Sequence, residues 1–118
     1  MQDFQTLCQT RRSYRKYTNQ PVEQEKLDYI IRCALMSPAG KRMNPWHFVV
    51  IKNEEILRQL AGCRTYGSGM FDTAMAGIVV AADASVIDTW QCDAAIAAKN
   101  IWHAAADQGL GACWCHVY

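Results

Sequence analysis

Two short apolar runs constrain this chain most: Trp46-His47-Phe48-Val49-Val50-Ile51 and Ala76-Gly77-Ile78-Val79-Val80-Ala81-Ala82. Their brevity and their β-branched and aromatic content predict strands. Neither run alternates with polar residues, so the expected sheet is apolar on both faces and needs helices on both sides. With 118 residues, 51% of them apolar, the chain is long enough for one such core and too short for two. A domain of this size hides roughly two thirds of the surface that its unfolded chain exposes, so neither a disulfide nor a metal staple is required. Residues 1–118 are expected to form a single domain.

Helices fill the intervals. Asp3 is placed to cap a first helix through Cys8, with Phe4, Leu7 and Cys8 on one face. Glu23 to Met36 carries an inner stripe of Leu27, Ile30, Ile31, Ala34 and Leu35, and Ser37-Pro38-Ala39-Gly40 stops it. A short helix is expected from Glu54 to Ala61, then a surface loop or poorly ordered link over 62–69. A long helix runs from Asp88 or Thr89 to Gln108, with Gly109 as its stop. Its alanines spread small side chains around most of the circumference, too wide an apolar arc for a helix with one buried side. It is expected to pack on its own sheet and on a second copy of the chain. Ala112 to Tyr118 reads as the start of a third strand.

The net charge of +1 conceals two basic segments. Arg11, Arg12, Arg15 and Lys16 lie in a stretch without acids, and so do Arg32, Lys41, Arg42 and Lys52. Beside turns and helix ends, such guanidinium forks suit a phosphate; the alternative is a solvated basic surface. They form no stripe along a helix and no aromatic ladder, so nucleic acid is not an expected partner. No apolar stretch approaches the ~20 residues of a membrane span, and the N-terminus lacks a signal-peptide pattern. The six cysteines have neither disulfide-framework nor zinc spacings; buried reduced thiols in a reducing cytoplasm are expected, with no metal. Cys113 and Cys115 share a strand face, but a bond between them would close a small strained ring. His47 and His103 read as packing residues.

Three segments carry a resemblance. Arg11-Arg12-Ser13-Tyr14-Arg15, the stretch Ser37-Pro38-Ala39-Gly40-Lys41-Arg42-Met43-Asn44-Pro45-Trp46-His47-Phe48, and Asp93-Ala94-Ala95-Ile96-Ala97-Ala98-Lys99-Asn100-Ile101 leading to Gly109-Leu110-Gly111-Ala112-Cys113-Trp114 together resemble the nitroreductase-like flavoproteins. The resemblance implies an α+β fold, with a central, mostly antiparallel sheet flanked by helices, and an FMN held at a homodimer interface. It implies hydride transfer from NAD(P)H through flavin N5 to a nitroaromatic, quinone or similar small-molecule acceptor. It also implies a further strand and helices beyond Tyr118.

By that likeness Arg11, Arg12, Ser13 and Arg15 form the first motif, where arginines meet the FMN phosphate and the pyrimidine end of the ring. A cation there stabilises the negative charge of a reduced flavin. Ser13 can instead be a local helix cap. Arg42 stands where relatives carry asparagine and Asn44 where glutamine is commoner; Arg42 is either a flavin contact or a solvated loop arginine. Trp46 reads as a packing anchor. Cys115 and His116 fall where the resemblance runs a strand past the reactive edge of the flavin. His116 is either a proton donor to the acceptor or a structural residue. No catalytic acid, base or nucleophile stands out, as suits hydride transfer between stacked rings. The competing reading is a noncatalytic flavin- or nucleotide-binding or dimerising domain of the same descent.

Overall fold

Apolar β-branched side chains zip the two predicted strands directly to each other. In the computed structural model, which describes residues 3–117, β1 (Trp46–Ile51) and β2 (Gly77–Ala82) pair antiparallel, Trp46 opposite Ala82 and Ile51 opposite Gly77. Helices α1 (Phe4–Thr10) and α2 (Gln24–Leu35) precede β1, α3 (Glu54–Leu60) lies between the strands, and α4 (Trp90–Asp107) follows β2. Short 3-10 turns occupy Gly40–Arg42 and Gly69–Asp72. The architecture is α+β, a small antiparallel sheet flanked by helices.

Side chains alternate across a strand and opposed residues share a face. One face therefore carries Trp46, Phe48, Val50, Ile78, Val80 and Ala82. Ile78 from this face packs against the Ile30, Ala104 and Ala105 cluster, where α2 crosses α4. Alanine on α4 lets α2 come close, and the Tyr29 hydroxyl donates to Asp107 Oδ2 at 2.8 Å across the pair. The buried stripe of α2 is Leu27, Ile30 and Ala34. Leu35, expected inside, is 55% exposed, because it lies about 100° around the helix from Ala34, off the buried stripe.

The opposite face departs from expectation. Its Gly77 end is covered by Leu57 of α3 and by Phe71, but Val49 and Val79, cross-strand partners, are 52% and 39% exposed. His47 and Ala81 beside them are exposed as well, which corrects the reading of His47 as a packing residue. Apolar character on both faces was read correctly; cover on both faces is not supplied by the described residues.

Helix ends follow local chemistry. Asp3 Oδ1 accepts from the Thr6 N–H at 2.8 Å, and that bond holds its carboxyl below the usual range. The first helix continues to Thr10, two residues beyond the expected end. Gly109, at φ 77°, ends α4 in the left-handed region. The 62–69 stretch is pinned: Ser68 is buried and its hydroxyl donates to the Ala61 carbonyl at 2.6 Å. Arg58 adds bonds to the Phe71 and Ala74 carbonyls at 2.9 and 2.8 Å.

The expected third strand is reduced, among the described residues, to one parallel bridge between Ser13 and Ala112, with the Tyr14 N–H donating to the Ala112 carbonyl at 3.1 Å; Tyr118 lies outside the described residues. None of the cysteines is buried, contrary to expectation. Cys8, Cys63 and Cys92 are exposed, and Cys33, Cys113 and Cys115 are half-buried. Cys33 packs at the edge of the α2–α4 cluster, and Cys63 lies in the loop after α3.

Candidate functional site

The first basic segment leaves α1 and turns along α4. Arg11 is half-buried, with its guanidinium 4.2 Å from the centroid of the Trp102 ring, a cation–π contact that fixes the stem and leaves the fork's outer donors available. Arg12 turns back on its own helix: Nη1 donates to the Gln9 and Arg11 carbonyls at 2.8 and 2.9 Å. It thereby satisfies acceptors that every helix C-terminus leaves open. Ser13 caps no helix, since Asp3 stands at the N-cap of α1 and Glu23 at that of α2; its backbone forms the bridge to Ala112. Gly111 permits this pairing, because a Cβ there would meet the Tyr14 ring at 2.9 Å. Arg15 is exposed. Burial, reinforced by nearby Cys113, pushes the Tyr17 hydroxyl up to about 12, against the opposing pull of Arg15.

The second basic segment is clamped elsewhere on α4. Asn100 Nδ2 donates to the buried Ser37 hydroxyl at 2.8 Å. The Gly40 N–H donates to Asp93 Oδ1, and the Thr89 hydroxyl donates to Asp93 Oδ2, each at 3.1 Å. Asp93 is only 3% exposed. Between these anchors Lys41, Arg42 and Asn44 hold φ values of 50°, 56° and 48°. The left-handed region costs a lysine or arginine on the order of 1 kcal/mol each, and such strain persists only where surroundings enforce it. The result is an exposed cationic tip presented by Asp93, with Pro45 and Trp46 buried behind it.

The two basic segments do not meet within one chain. Asp93 and Trp102 are nine positions apart on α4, which at about 100° per residue sets them on opposite flanks and about 13 Å apart along the axis. Arg11, Ile96, Lys99, Trp102 and Trp114 line a shallow groove of about 420 Å³ on the Trp102 flank. Ile96 is 39% exposed there.

Comparison with known proteins decides the family. A pattern described as "Nitroreductase family" matches residues 8–63. A curated protein of Archaeoglobus fulgidus, named "Putative NADH dehydrogenase/NAD(P)H nitroreductase", is 34% identical over 122 residues, covering 100% of this chain and 70% of its own length. The chain belongs to the nitroreductase family. A curated protein of the same name from Methanothermobacter thermautotrophicus is 39% identical over 119 residues, 98% of this chain. The nitroreductase chain spans 62% of that relative's length. Among solved structures, an FMN-dependent nitroreductase from Clostridium difficile R20291 superposes with a TM-score of 0.92 at 42% identity, over 94% of this chain and 65% of that one. The nitroreductase fold expected from the sequence is thus the fold observed.

The remaining candidate residues of this nitroreductase-family chain sit at another corner. Cys115 and His116 follow the Ala112 bridge, and His116 and Val117 line a cavity of about 310 Å³ with Cys63 and Arg64. Trp114 and His116 lie with ring centroids 6.4 Å apart. His103, by contrast, is a packing residue as expected: its ring stacks on Phe4 at 5.7 Å, and Nδ1 lies 3.1 Å from the Lys99 carbonyl. Asp93 lies within the third segment, but its residue type and position there carry no sign of its role. An acid in the first turn of a helix is already explained by the helix dipole; only its burial beneath Gly40 marks it as the support of the loop.

Proposed function

We propose that this chain works as an FMN-dependent oxidoreductase that carries hydride equivalents from NAD(P)H to a nitroaromatic, quinone or similar acceptor, as a homodimer. The observation that carries this reading is the placement of two cationic segments on opposite flanks of α4. A second copy packed against that helix brings the Arg11–Arg15 segment of one chain toward the 41–44 tip of the other.

The donor set fits FMN. Arg11 and Arg15 offer paired donors for a phosphate or for the electron-rich pyrimidine edge. Ser13 adds a hydroxyl, Arg12 keeps the donors not spent on its own helix, and Arg42 and Asn44 stand on the exposed tip. FMN, when bound, supplies a ring that accepts hydride and passes electrons onward. Arg11, immobilised on Trp102, holds positive charge in place without side-chain reorganisation. Asp93 fixes the tip through the Gly40 N–H. Trp114, Cys115 and His116 would border the approach to a bound ring, as the family likeness implies, with Cys115 and His116 shaping the entry of donor and acceptor. The residues bind and orient, and no acid, base or nucleophile is required of them.

The test uses the full chain. FMN titration, followed by quenching of flavin fluorescence, should give a saturable yellow complex that oxidises NAD(P)H in the presence of a quinone. Arg11→Ala and Arg42→Ala should each weaken FMN binding about tenfold, corresponding to loss of one charge-assisted hydrogen bond. Absence of a coloured complex, with the fold retained, would leave the noncatalytic domain as the reading.

A further inference from the structure

Cys8 and His103 meet where α1 packs against α4. Positions four apart on a helix share a side, which aligns Phe4 with Cys8 on α1 and Lys99 with His103 on α4. The contacts follow that alignment. The His103 ring stacks on Phe4 with centroids 5.7 Å apart, the Lys99 ammonium lies 5.4 Å from the centroid of the Phe4 ring, and Cys8 Sγ stands 3.9 Å from His103 Nε2. Nδ1 of the same imidazole lies 3.1 Å from the Lys99 carbonyl. A carbonyl oxygen only accepts, so Nδ1 carries the ring proton in that bond, and the neutral imidazole presents Nε2 as the acceptor for the Cys8 thiol. A thiol, a base and a group that orients the base are thus in contact, the arrangement that activates a nucleophile.

We propose that Cys8, activated by His103, is a modification site at which a small disulfide bearing carboxylates, such as oxidised glutathione, forms a mixed disulfide. His103 Nε2 takes the thiol proton while Cys8 Sγ attacks one sulfur of the disulfide. The S–S bond of the reagent breaks, a new S–S bond joins Cys8 to one half, and the other half leaves as a thiolate that takes the proton back from His103. The Cys8 sulfur is oxidised, the departing sulfur is reduced to a thiol, and no other oxidant is needed.

Access and charge select the reagent. Cys8 is exposed, so a disulfide can reach it from solvent. His103 also lines the α4 groove, with Lys99 and Arg11 as the cations of that groove. These offer positive charge to a developing thiolate and to the carboxylates of an incoming anionic disulfide. Ile96 lies seven positions from His103 on α4, about 10 Å along the axis, so the reacting pair stands at the end of the groove and away from that apolar side chain. The chemistry is that of the thiol and the imidazole and requires no flavin.

Oxidised glutathione added to the purified full chain at neutral pH, with timed alkylation and peptide mass spectrometry, tests it. Cys92, exposed at the start of α4, serves as the reference thiol. Cys8 should acquire a dithiothreitol-reversible glutathione adduct about tenfold faster than Cys92, and His103→Gln should remove that advantage without slowing Cys92. The ratio of Cys8 to Cys92 rates should be higher with oxidised glutathione than with the uncharged hydroxyethyl disulfide, and Lys99→Gln, which keeps the backbone carbonyl that orients His103, should narrow that difference. Circular dichroism checks that both variants remain folded, and the wild-type comparison needs neither. Equal rates at Cys8 and Cys92 in the wild-type chain, or a folded His103→Gln chain whose Cys8 rate is unchanged, would overturn the proposal. A ratio that is the same for both disulfides would overturn the assignment to an anionic reagent.

Discussion

Asp93 carries a load out of proportion to its place in the sequence. Its two carboxylate oxygens engage the Gly40 N–H and the Thr89 hydroxyl while the residue is almost wholly buried. Asp93→Ala leaves a backbone donor without its partner, so urea melts should show a loss of about 2 kcal/mol, with faster amide exchange confined to 40–44. The same bridge explains Gly40. A Cβ there would stand 2.3 Å from Thr89 Oγ1 and 3.1 Å from Ile87 Cδ1. Gly40→Ala should therefore displace the hydroxyl that donates to Asp93, and combining it with Thr89→Ala should recover about 1 kcal/mol relative to additivity. The arginines were selected from the sequence as phosphate and flavin contacts because guanidinium chemistry is specific. The left-handed Lys41 and Arg42 were not, since neither residue type favours that region and only the anchors at Ser37 and Gly40 impose it.

Among the elements, α4 organises the rest: it packs with α2 and the sheet, carries Asp93 and Asn100, and provides Trp102 for Arg11. Its alanine content announced close approach from several sides, and its limits differ from the predicted ones by no more than two residues at either end. The segment after Gly109 was less legible, because a strand needs a neighbour and the described residues give it only the Ser13 bridge. The Tyr29 bond to Asp107 joins α2 to α4 and, chiefly by stabilising the protonated phenol, raises the Tyr29 hydroxyl to about 12. Tyr17, raised by burial, also titrates near about 12. Both folded values exceed the ordinary ~10 of tyrosine. Their contribution to stability is therefore complete below about pH 10 and lost as pH rises toward about 12. Melts across that interval should show the decline, and Tyr29→Phe should flatten it while costing about 1 kcal/mol at neutral pH.

At the scale of the molecule, apolar surface is left on two sides: Val49 and Val79 on the sheet, and Ile96 in the groove of α4. The apolar runs foretold that the sheet is hydrophobic throughout, but a pattern records a side chain's character and not which neighbour covers it. In the proposed homodimer a second copy would cover α4 and account for the basic segments, since two chains meeting along this helix would put opposite flanks in register. Such an interface has an apolar centre between the Arg11 and 41–44 regions, and Ile96 lies in it without contributing to the buried cluster of its own chain. Ile96→Glu should therefore convert a dimer to a monomer in sedimentation at micromolar concentration and leave the helical circular dichroism of the chain unchanged. FMN affinity should fall with it, although no proposed flavin contact has been altered. A wild-type chain that sediments as a folded monomer would remove the second copy from the site, and a monomeric Ile96→Glu chain that still binds FMN with wild-type affinity would place both basic segments' functions within one subunit.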